Sequence, residues 1–540
     1  MKKLLDKAQH FLFLALFGFI FVVVFIGTPI TISGITSRPV NNSVPKLTPI
    51  PLPLAILLSL LIYAISVLVL WLLYKGYDKF LRNRQKISQK RVNLIFIISL
   101  LILFIGQLIV IFGFDYVAVT DSHVVDVCAR NFARDGNMAN LYRGLPEKRL
   151  QYFATYPNNW GILLIVSYIF RGIHLVLGYV PKEAPAVIAA ISVQISVVFT
   201  YLSARRIFQN KIQPIFCLFL TLLTPVFAMY STVLYTDTLS MPFTMASFYL
   251  FIRAVQSKKF SKFILWLIPS SIVMAIGYTV KGSVLVMLVA FAIYAFLRLG
   301  WKQLISMVLI GALSVVSVNF CLEKAILSLE VTTKENLELE EFPKEHWMMM
   351  ALYGQGGFYG EDYKFTHSIE GYEAKKEANI RVIKERLSDF GVSGFIVHEI
   401  KKINYTWNDG RYFSYNHYRD SSSTNGLVHF FQRNFAFIAF TQIVHIITLA
   451  LMFLSCLGGF QKKRVTKMAL VRLIVFGIAL FLLIWETRSR YLINYIPLMI
   501  IMAADGMNHL WGLVQKSKDK KQRAKEVEKL KEPVVLENQS

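Results

Sequence analysis

The sequence has few acidic residues and few cysteines. Asp and Glu number 33 among 540 residues, against 58 Lys and Arg, and there are four Cys. The cysteines are far apart and show neither a disulfide framework nor the spacing of metal ligands, and the histidines form no His-Glu-x-x-His pattern. The sequence therefore gives no indication of a disulfide-stabilised secreted domain or of a metal centre.

Charged residues are scarce as well, at 17%, whereas hydrophobic residues make up 55% and the mean hydropathy is +0.50. Apolar runs of about 20 residues, which cross a hydrocarbon core of roughly 30 Å as helices, recur along the chain. We therefore predict an all-α polytopic membrane protein, in which the net charge of +25 reflects basic loops rather than a nucleic-acid surface. The runs fall at about 11–32, 53–74, 93–114, 160–179, 185–204, 213–233, 238–254, 263–279, 282–297, 303–322, 434–457, 468–485 and 491–513.

The basic loops predict how these runs are threaded through the membrane. If every run crossed, the segments "ARRIFQNK", "SKKFSK" and "QKKRVTK" would lie outside, against the positive-inside rule. The conflict disappears if the run at 160–179, which contains Arg171 and His174, lies in the outer interface as an amphipathic or re-entrant helix. We predict about 12 spans in the cell membrane, both termini cytoplasmic, and two large extracellular regions at 115–184 and 323–433.

Two aspartates stand at predicted outer ends of spans. Asp121 lies in "VTDSHVVDVCARNF" after the third span, and Asp237 lies in "LYTDTLSMPF" at the joint between two spans. Each has a structural explanation as a helix N-cap. Each could also take part in catalysis: Asp121 as a general base, and Asp237 as a group that orients an acceptor or stabilises positive charge on a sugar ring.

Three basic residues lie at predicted outer span ends, where the positive-inside rule disfavours them. Lys281, in "YTVKGS", is the only charged residue between Lys262 and Arg298, and Arg488 and Arg490 lie in "WETRSRY". Contact with lipid head groups is one explanation, since long basic side chains extend towards the interface. The other is phosphate binding, for which ammonium and guanidinium groups are suited.

In this order, the residues resemble the GT-C superfamily of membrane glycosyltransferases, in particular the lipid A aminoarabinose transferases and the family 39 protein O-mannosyltransferases. "DSHVVDVCARNF" is similar to the acidic motif of their first outer loop at Asp121 and at Ala129-Arg130, although Ser122 replaces the usual second acidic residue. "YPNNWGILLIVSYIFRGIHLVLG" resembles their Pro-containing amphipathic stretch.

Three later positions extend this likeness. Asp237 resembles a later outer-facing aspartate of the superfamily, "KG" at 281–282 a Lys-Gly pair, and "RYLINYIP" an Arg-Tyr-x-x-x-x-x-Pro end. "HWMMMALYGQGGFYGEDYKFT" also looks like a segment of uncharacterised Gram-positive members. The likeness covers about 93–300 and 470–513, and the first two spans and the 323–433 insert depart from the aminoarabinose transferases.

The resemblance implies a GT-C-like arrangement of about 12 transmembrane helices with outer amphipathic helices. The expected parts are two extra N-terminal spans with a basic cytoplasmic loop (1–92), a catalytic membrane module with an outer loop at 115–184 (93–322), an extracellular α+β or irregular insert (323–433), C-terminal spans (434–513) and a basic cytoplasmic tail (514–540).

The implied function is that of a membrane glycosyltransferase. It would move a hexose or pentose from a polyprenyl-phosphate donor to a cell-envelope acceptor, a glycan, a teichoic-acid-like polymer or a protein, on the outer face and with inversion. Asp121 and Asp237 are the expected catalytic residues, and Lys281, Arg488 and Arg490 the expected ligands of the donor phosphate. No cofactor is expected, although a divalent cation fits such chemistry.

Two other classes stay open. A transporter or flippase for an anionic lipid-linked substrate would use the same cations, but it predicts ionisable residues near span midplanes and an internal repeat. We expect neither, because the charges collect at outer span ends. A non-catalytic scaffold whose insert binds cell-wall polymer is the third class.

Overall fold

The protein is described by a computed structural model. The residues it describes are 2–37, 50–83, 87–113, 118, 120–330, 332–414, 430, 434–461 and 467–531. Within these ranges all regular structure is helical. The first eleven α-helices are α1 Lys2–Ser37, α2 Leu52–Arg82, α3 Gln89–Gly113, α4 Thr120–Asp135, α5 Tyr152–Thr155, α6 Trp160–Leu177, α7 Ala184–Ile207, α8 Ile212–Leu223, α9 Val226–Met229, α10 Thr236–Val255 and α11 Phe260–Val280.

The second part of the chain continues the helical architecture. Its helices are α12 Val286–Arg298, α13 Trp301–Ser328, α14 Lys334–Glu340, α15 Lys344–Ala351, α16 Gly360–His367, α17 Tyr372–Trp407, α18 Phe435–Gln461, α19 Met468–Ile484 and α20 Ile496–Lys531. The last helix runs past the boundary predicted between 513 and 514, so the basic tail begins as its continuation.

Nine helices of the described chain are long and apolar enough to cross a membrane, or ten if α8 and residues 226–232, bent by 62°, form one span. Two shorter apolar helices, Gly282–Arg298 and α19, lie among them. The predicted all-α polytopic membrane fold is confirmed. The count of 12, which includes both shorter helices and α20, stays a prediction.

Burial separates central spans from peripheral ones. The most apolar part of α18 is 72% buried inside the protein, whereas those of α2 and α13 are 17% buried. Exposed leucine and isoleucine side chains on peripheral helices carry no penalty in lipid, which is as apolar as they are. The close approach of α18 to α20 depends on Gly506, where a Cβ atom would lie 1.8 Å from the Leu451 carbonyl oxygen.

Helix α6 contains the run predicted not to cross. It is among the nine helices that could span by length and composition. It packs along α4, however, a helix with five charged residues, and its Arg171 donates to the Ala133 carbonyl oxygen near the end of α4 (2.7 Å). Because burying such a charged neighbour in hydrocarbon is expensive, this packing favours the interfacial placement.

The insert differs from its prediction. Its described residues form helices α14 to α17, with no strand among them, so the α+β or irregular structure expected for 323–433 is wrong for that part. The sequence offered a helical signal in "YEAKKEANIRVIKERL", which is rich in strong helix formers. Residues 415–429 and 431–433 of the insert, and the basic segment 462–464, lie outside the described residues.

Candidate functional site

Lys281 lies at the joint between two apolar helices. Helix α11 ends at Val280, and Lys281 follows in an extended conformation (φ −149°, ψ 115°) before the 3₁₀ helix Gly282–Leu285. This break directs the ammonium group sideways into the protein. Its Nζ donates to Asp237 Oδ1 (2.5 Å) and reaches Asn494 Oδ1 (3.5 Å).

Asp237 occupies the first turn of α10 and is 1% exposed. Its second carboxylate oxygen lies 4.0 Å from Arg490 Nε. One buried carboxylate is thus flanked by two cations, Lys281 and Arg490. Burial lowers the pKa of Lys281, and the negative charge of Asp237 opposes that shift.

A 3₁₀ helix, Ser489–Tyr495, precedes α20 and carries Arg490, Tyr491 and Asn494. In a 3₁₀ helix, side chains three residues apart eclipse each other, so Tyr491 and Asn494 lie on one side. Lys281 Nζ is 5.4 Å from the centre of the Tyr491 ring, and the Arg490 guanidinium 5.3 Å from it. The aromatic face therefore lies beside both cations, in the range of cation–π contact.

Arg488 lies beside this group but has its own partner, Glu486, with Nε 3.8 Å from Oε1. The guanidinium lies 5.0 Å from the centre of the Phe413 ring. The backbone here is fixed by the insert, because the Glu486 amide donates to Trp347 (3.1 Å) and the Thr487 amide to Gly356 (2.7 Å). Burial raises the pKa of Glu486, an effect that the positive charges of Arg488 and Arg490 oppose.

Asp121 lies in the first turn of α4 and is more accessible than Asp237, with 35% of its side chain exposed. Its Oδ1 lies 3.5 Å from Arg149 Nη1. Burial raises the pKa of Tyr235, and the negative charges of Asp121 and Asp237 raise it further. A series of contacts relates Asp121 to the buried cations: its partner Arg149 lies 5.7 Å from the centre of the Tyr152 ring, the Tyr152 and Tyr235 hydroxyls are 3.4 Å apart, and Arg490 lies 5.9 Å from the centre of the Tyr235 ring.

In the structure, Lys281 and Arg490 both contact Asp237. Arg488 and Asp121 lie nearby, and each has a different partner, Glu486 and Arg149 respectively. We call Asp237, Lys281, Arg490 and Asn494 the cation cluster. Reasoning from sequence missed the neutral residues around these charges, Tyr235, Tyr491 and Asn494, and the partners Arg149 and Glu486. For most of these residues, the only signal in the sequence was that they lie close along the chain to one of the predicted site residues.

The cation cluster and the neighbouring Arg488 contain donors without acceptors. Among the described residues, the buried Nε atoms of Arg488 and Arg490 and the Nδ2 atom of Asn494 have no hydrogen-bond partner. Buried donors are costly when unsatisfied, so such a group is suited to an anion that supplies several oxygens. No group of three or more His, Cys, Asp and Glu side chains in the described part of the chain could hold a metal ion.

A second buried ion pair joins two apolar helices, and reasoning from sequence did not single it out. Arg472 of α19 and Asp505 of α20 are joined by a 2.7 Å contact between Nη2 and Oδ2. Arg472 Nε also donates to Ser455 Oγ (3.1 Å), which itself donates to Asp505 (2.7 Å). We call the ion pair of Arg472 and Asp505, together with the Ser455 hydroxyl that bonds to both, the closed pair.

The helices and their buried charges define a polytopic integral membrane protein. Residues 3–509 match the family described as conserved hypothetical integral membrane protein, and the chain belongs to that family. No curated protein matches the chain. Among solved structures, ArnT from Cupriavidus metallidurans, crystallised bound to undecaprenyl phosphate, is similar over 78% of each chain, at 11% identity and a TM-score of 0.34.

Proposed function

We propose that the protein is a GT-C-type membrane glycosyltransferase that moves a sugar from a polyprenyl-phosphate donor to a cell-envelope acceptor on the outer face of the membrane. The observation that supports this most is the cation cluster: two cations share one buried carboxylate, and buried donors beside them lack acceptors. Asp121 has a partly exposed carboxylate and is connected to Arg490 through Arg149, Tyr152 and Tyr235.

The donor phosphate is the proposed ligand of the cation cluster. Lys281 and Arg490 would contact its oxygens, and Arg488 would approach from the side of Glu486. Because a polyprenyl phosphate leaves as an anion, cations placed near it can stabilise the departing charge without a general acid. The prenyl chain would lie in lipid between the spans.

Asp121 is the proposed general base. It takes the proton of the acceptor hydroxyl, whose oxygen then forms a bond to the anomeric carbon from the face opposite the phosphate. The bond between the anomeric carbon and the phosphate oxygen breaks, and its electron pair leaves with the polyprenyl phosphate. Attack from the opposite face inverts the anomeric configuration.

Asp237 was predicted as catalytic, and its environment favours a more limited role. The carboxylate is 1% exposed and bonded to Lys281, so it has little access to an acceptor. We propose that it holds the Lys281 ammonium and the Arg490 guanidinium in place for the phosphate. The predicted cytoplasmic termini, the extracellular site and the Gram-positive branch belong to the same proposal.

The test is glycan profiling of cell envelopes with the protein, without it, and with the Asp121→Asn variant. We expect one envelope glycan modification to disappear in the deletion and to fall by about 10²-fold or more in the variant, the usual scale for a lost general base. Asp135→Asn, which changes the aspartate at the other end of the same helix, is the matched control and should retain the modification. Normal glycans with Asp121→Asn at equal protein level would contradict the proposal.

A flippase for an anionic lipid-linked substrate is the second candidate, favoured by the buried ion pair of Arg472 and Asp505 between two apolar helices. It predicts lipid movement across vesicle membranes without an acceptor. Transfer that needs an acceptor and releases polyprenyl phosphate would exclude it.

A further inference from the structure

The insert contains a cavity of about 530 Å³ beside the kink of α17. Helix α17 bends at Gly391 (φ 55°), and the cavity lies between the residues around this bend and the loop that follows α15. Its lining includes the apolar Leu352, Phe390 and Val397. A cavity with an apolar wall in a predominantly polar insert indicates a ligand with an apolar part.

Apolar side chains continue from the cavity onto the surface of α17. On the helix after the kink, Val392 is 83% exposed, Ile396 53% and Val397 49%. Ile396 and Ile400 are four residues apart and both exposed, so this surface continues down one side of the helix. We call Val392, Phe395, Ile396, Val397 and Ile400 the apolar ridge.

The contacts of α17 with α1 set the depth of the ridge. Asn404 donates to Thr31 (3.3 Å), and Asn408, just after the helix, donates to the Val24 carbonyl oxygen (3.0 Å). Val24 precedes Gly34, the end of the apolar span of α1, by about 15 Å of helix. The end of α17 therefore reaches the level of hydrocarbon, and Ile400, about 12 Å back along α17, lies near its boundary.

The rim of the cavity carries charges of both signs. Lys401 and Asp389 are exposed and make no ion pair with the described residues, whereas Arg386 is held by Asp362 through contacts of 2.6 and 2.8 Å. A phosphate group can form an ion pair with Lys401, and hydroxyl or amine groups can donate hydrogen bonds to Asp389. Together with the apolar wall, these charges fit an amphiphile whose head group contains a phosphate and a hydroxyl or amine group.

We propose that the cavity and the apolar ridge bind a phospholipid from the predicted outer leaflet, with its chains on the ridge and its phosphate and hydroxyl groups at Lys401 and Asp389. A lipid is the occupant that this position favours, because the ridge continues the lipid-level surface at which α17 contacts α1. This inference does not depend on the proposed transferase activity.

Depth is tested on the full-length protein in nanodiscs, with the exposed Cys321 replaced by Ser so that labelling is specific. A fluorophore on Ile396→Cys should be quenched several-fold more by acyl-chain spin-labelled lipid than one on Lys376→Cys, before the kink. Equal quenching at the two positions would overturn the proposal.

Head-group binding is tested by native mass spectrometry with phosphatidylglycerol. Lys401→Gln should retain several-fold less of this lipid than wild type, whereas Lys384→Gln, an exposed control on the same helix, should retain as much. Soluble glycerol 1-phosphate should compete weakly, since it lacks chains for the ridge. The site would be contradicted if Lys401→Gln retained as much phosphatidylglycerol as wild type does. It would also be contradicted if glycerol 1-phosphate competed as strongly as phosphatidylglycerol itself.

Discussion

The cation cluster and the closed pair are both buried ion pairs. Arg472 of the closed pair lies near the start of α19, and Arg490 of the cation cluster follows the end of that helix. In the closed pair, the Arg472 guanidinium contacts both Asp505 and Ser455, and Ser455 donates back to Asp505. In the cation cluster, two cations share Asp237, and donors of Arg490 and Asn494 lack acceptors in the described chain.

The difference separates a structural role from a binding role. The closed pair matches one positive charge with one negative charge and joins α18, α19 and α20 through their side chains, which stabilises their packing. The cation cluster has an excess of positive charge and of donors, so an anionic ligand would complete it.

Asp505→Asn should have the largest effect on stability. It leaves the Arg472 charge buried without its counter-ion, which costs about 3 to 5 kcal/mol in buried pairs. Thermal unfolding in detergent should occur at a clearly lower temperature. The double variant Arg472→Met, Asp505→Leu removes both charges and should recover much of the loss; no recovery would argue against an ion pair as the cause.

Asp237→Asn should also destabilise the protein, but an anionic ligand should restore part of the lost stability. It leaves Lys281 and Arg490 close together without the buried carboxylate. Undecaprenyl phosphate would supply the missing negative charge, so it should raise the unfolding temperature of this variant more than that of wild type. Asp505→Asn is the control, and an equal shift in both variants would show that the cation cluster does not bind phosphate.

Arg488→Lys should weaken donor use by about tenfold, because lysine cannot reproduce a bidentate guanidinium contact. The expected change is a higher KM for the lipid-linked sugar, with little change in unfolding temperature, since Arg488 is a partner of Glu486 rather than of Asp237. A large loss of stability instead would assign Arg488 a structural role.

Arg149→Gln should have the smallest effect on stability. Arg149 and Asp121 are each about one third exposed and 3.5 Å apart, so their pairing contributes less than about 1 kcal/mol. Equilibrium unfolding should differ from wild type by no more than that amount. A larger loss would show that the Asp121 side of the site is more tightly packed than its exposure indicates.

The sequence predicted the membrane fold well because apolar length is a strong constraint in a bilayer. Runs of about 20 residues and the break at Lys281 both appear in the structure, where α11 ends at Val280. The span count and the topology depend on weaker signals, such as the charges around 160–179. Helix α6 shows why: its composition permits a span, and only its packing on charged α4 favours an interfacial position.

The residues of the site were partly predictable. Asp237, Lys281 and Arg490 drew attention because charges at the predicted outer span ends are unusual, and the structure brings them together. Asn494 and Tyr235 gave no such signal, since neutral polar and aromatic residues are common near span ends. Arg472 and Asp505 did stand in apolar runs, in "MALVRLIVFG" and "IIMAADGM", and the emphasis on outer charges overlooked them.

The most direct test of a phosphate site is equilibrium binding of undecaprenyl phosphate to the protein in nanodiscs. Arg490→Lys should bind about tenfold more weakly than wild type, and Arg472→Lys, the same change in the closed pair, should bind as wild type does once corrected for folded protein. Equal affinity of wild type and Arg490→Lys, or an equal loss in both variants, would contradict the assignment of the cation cluster to the donor phosphate.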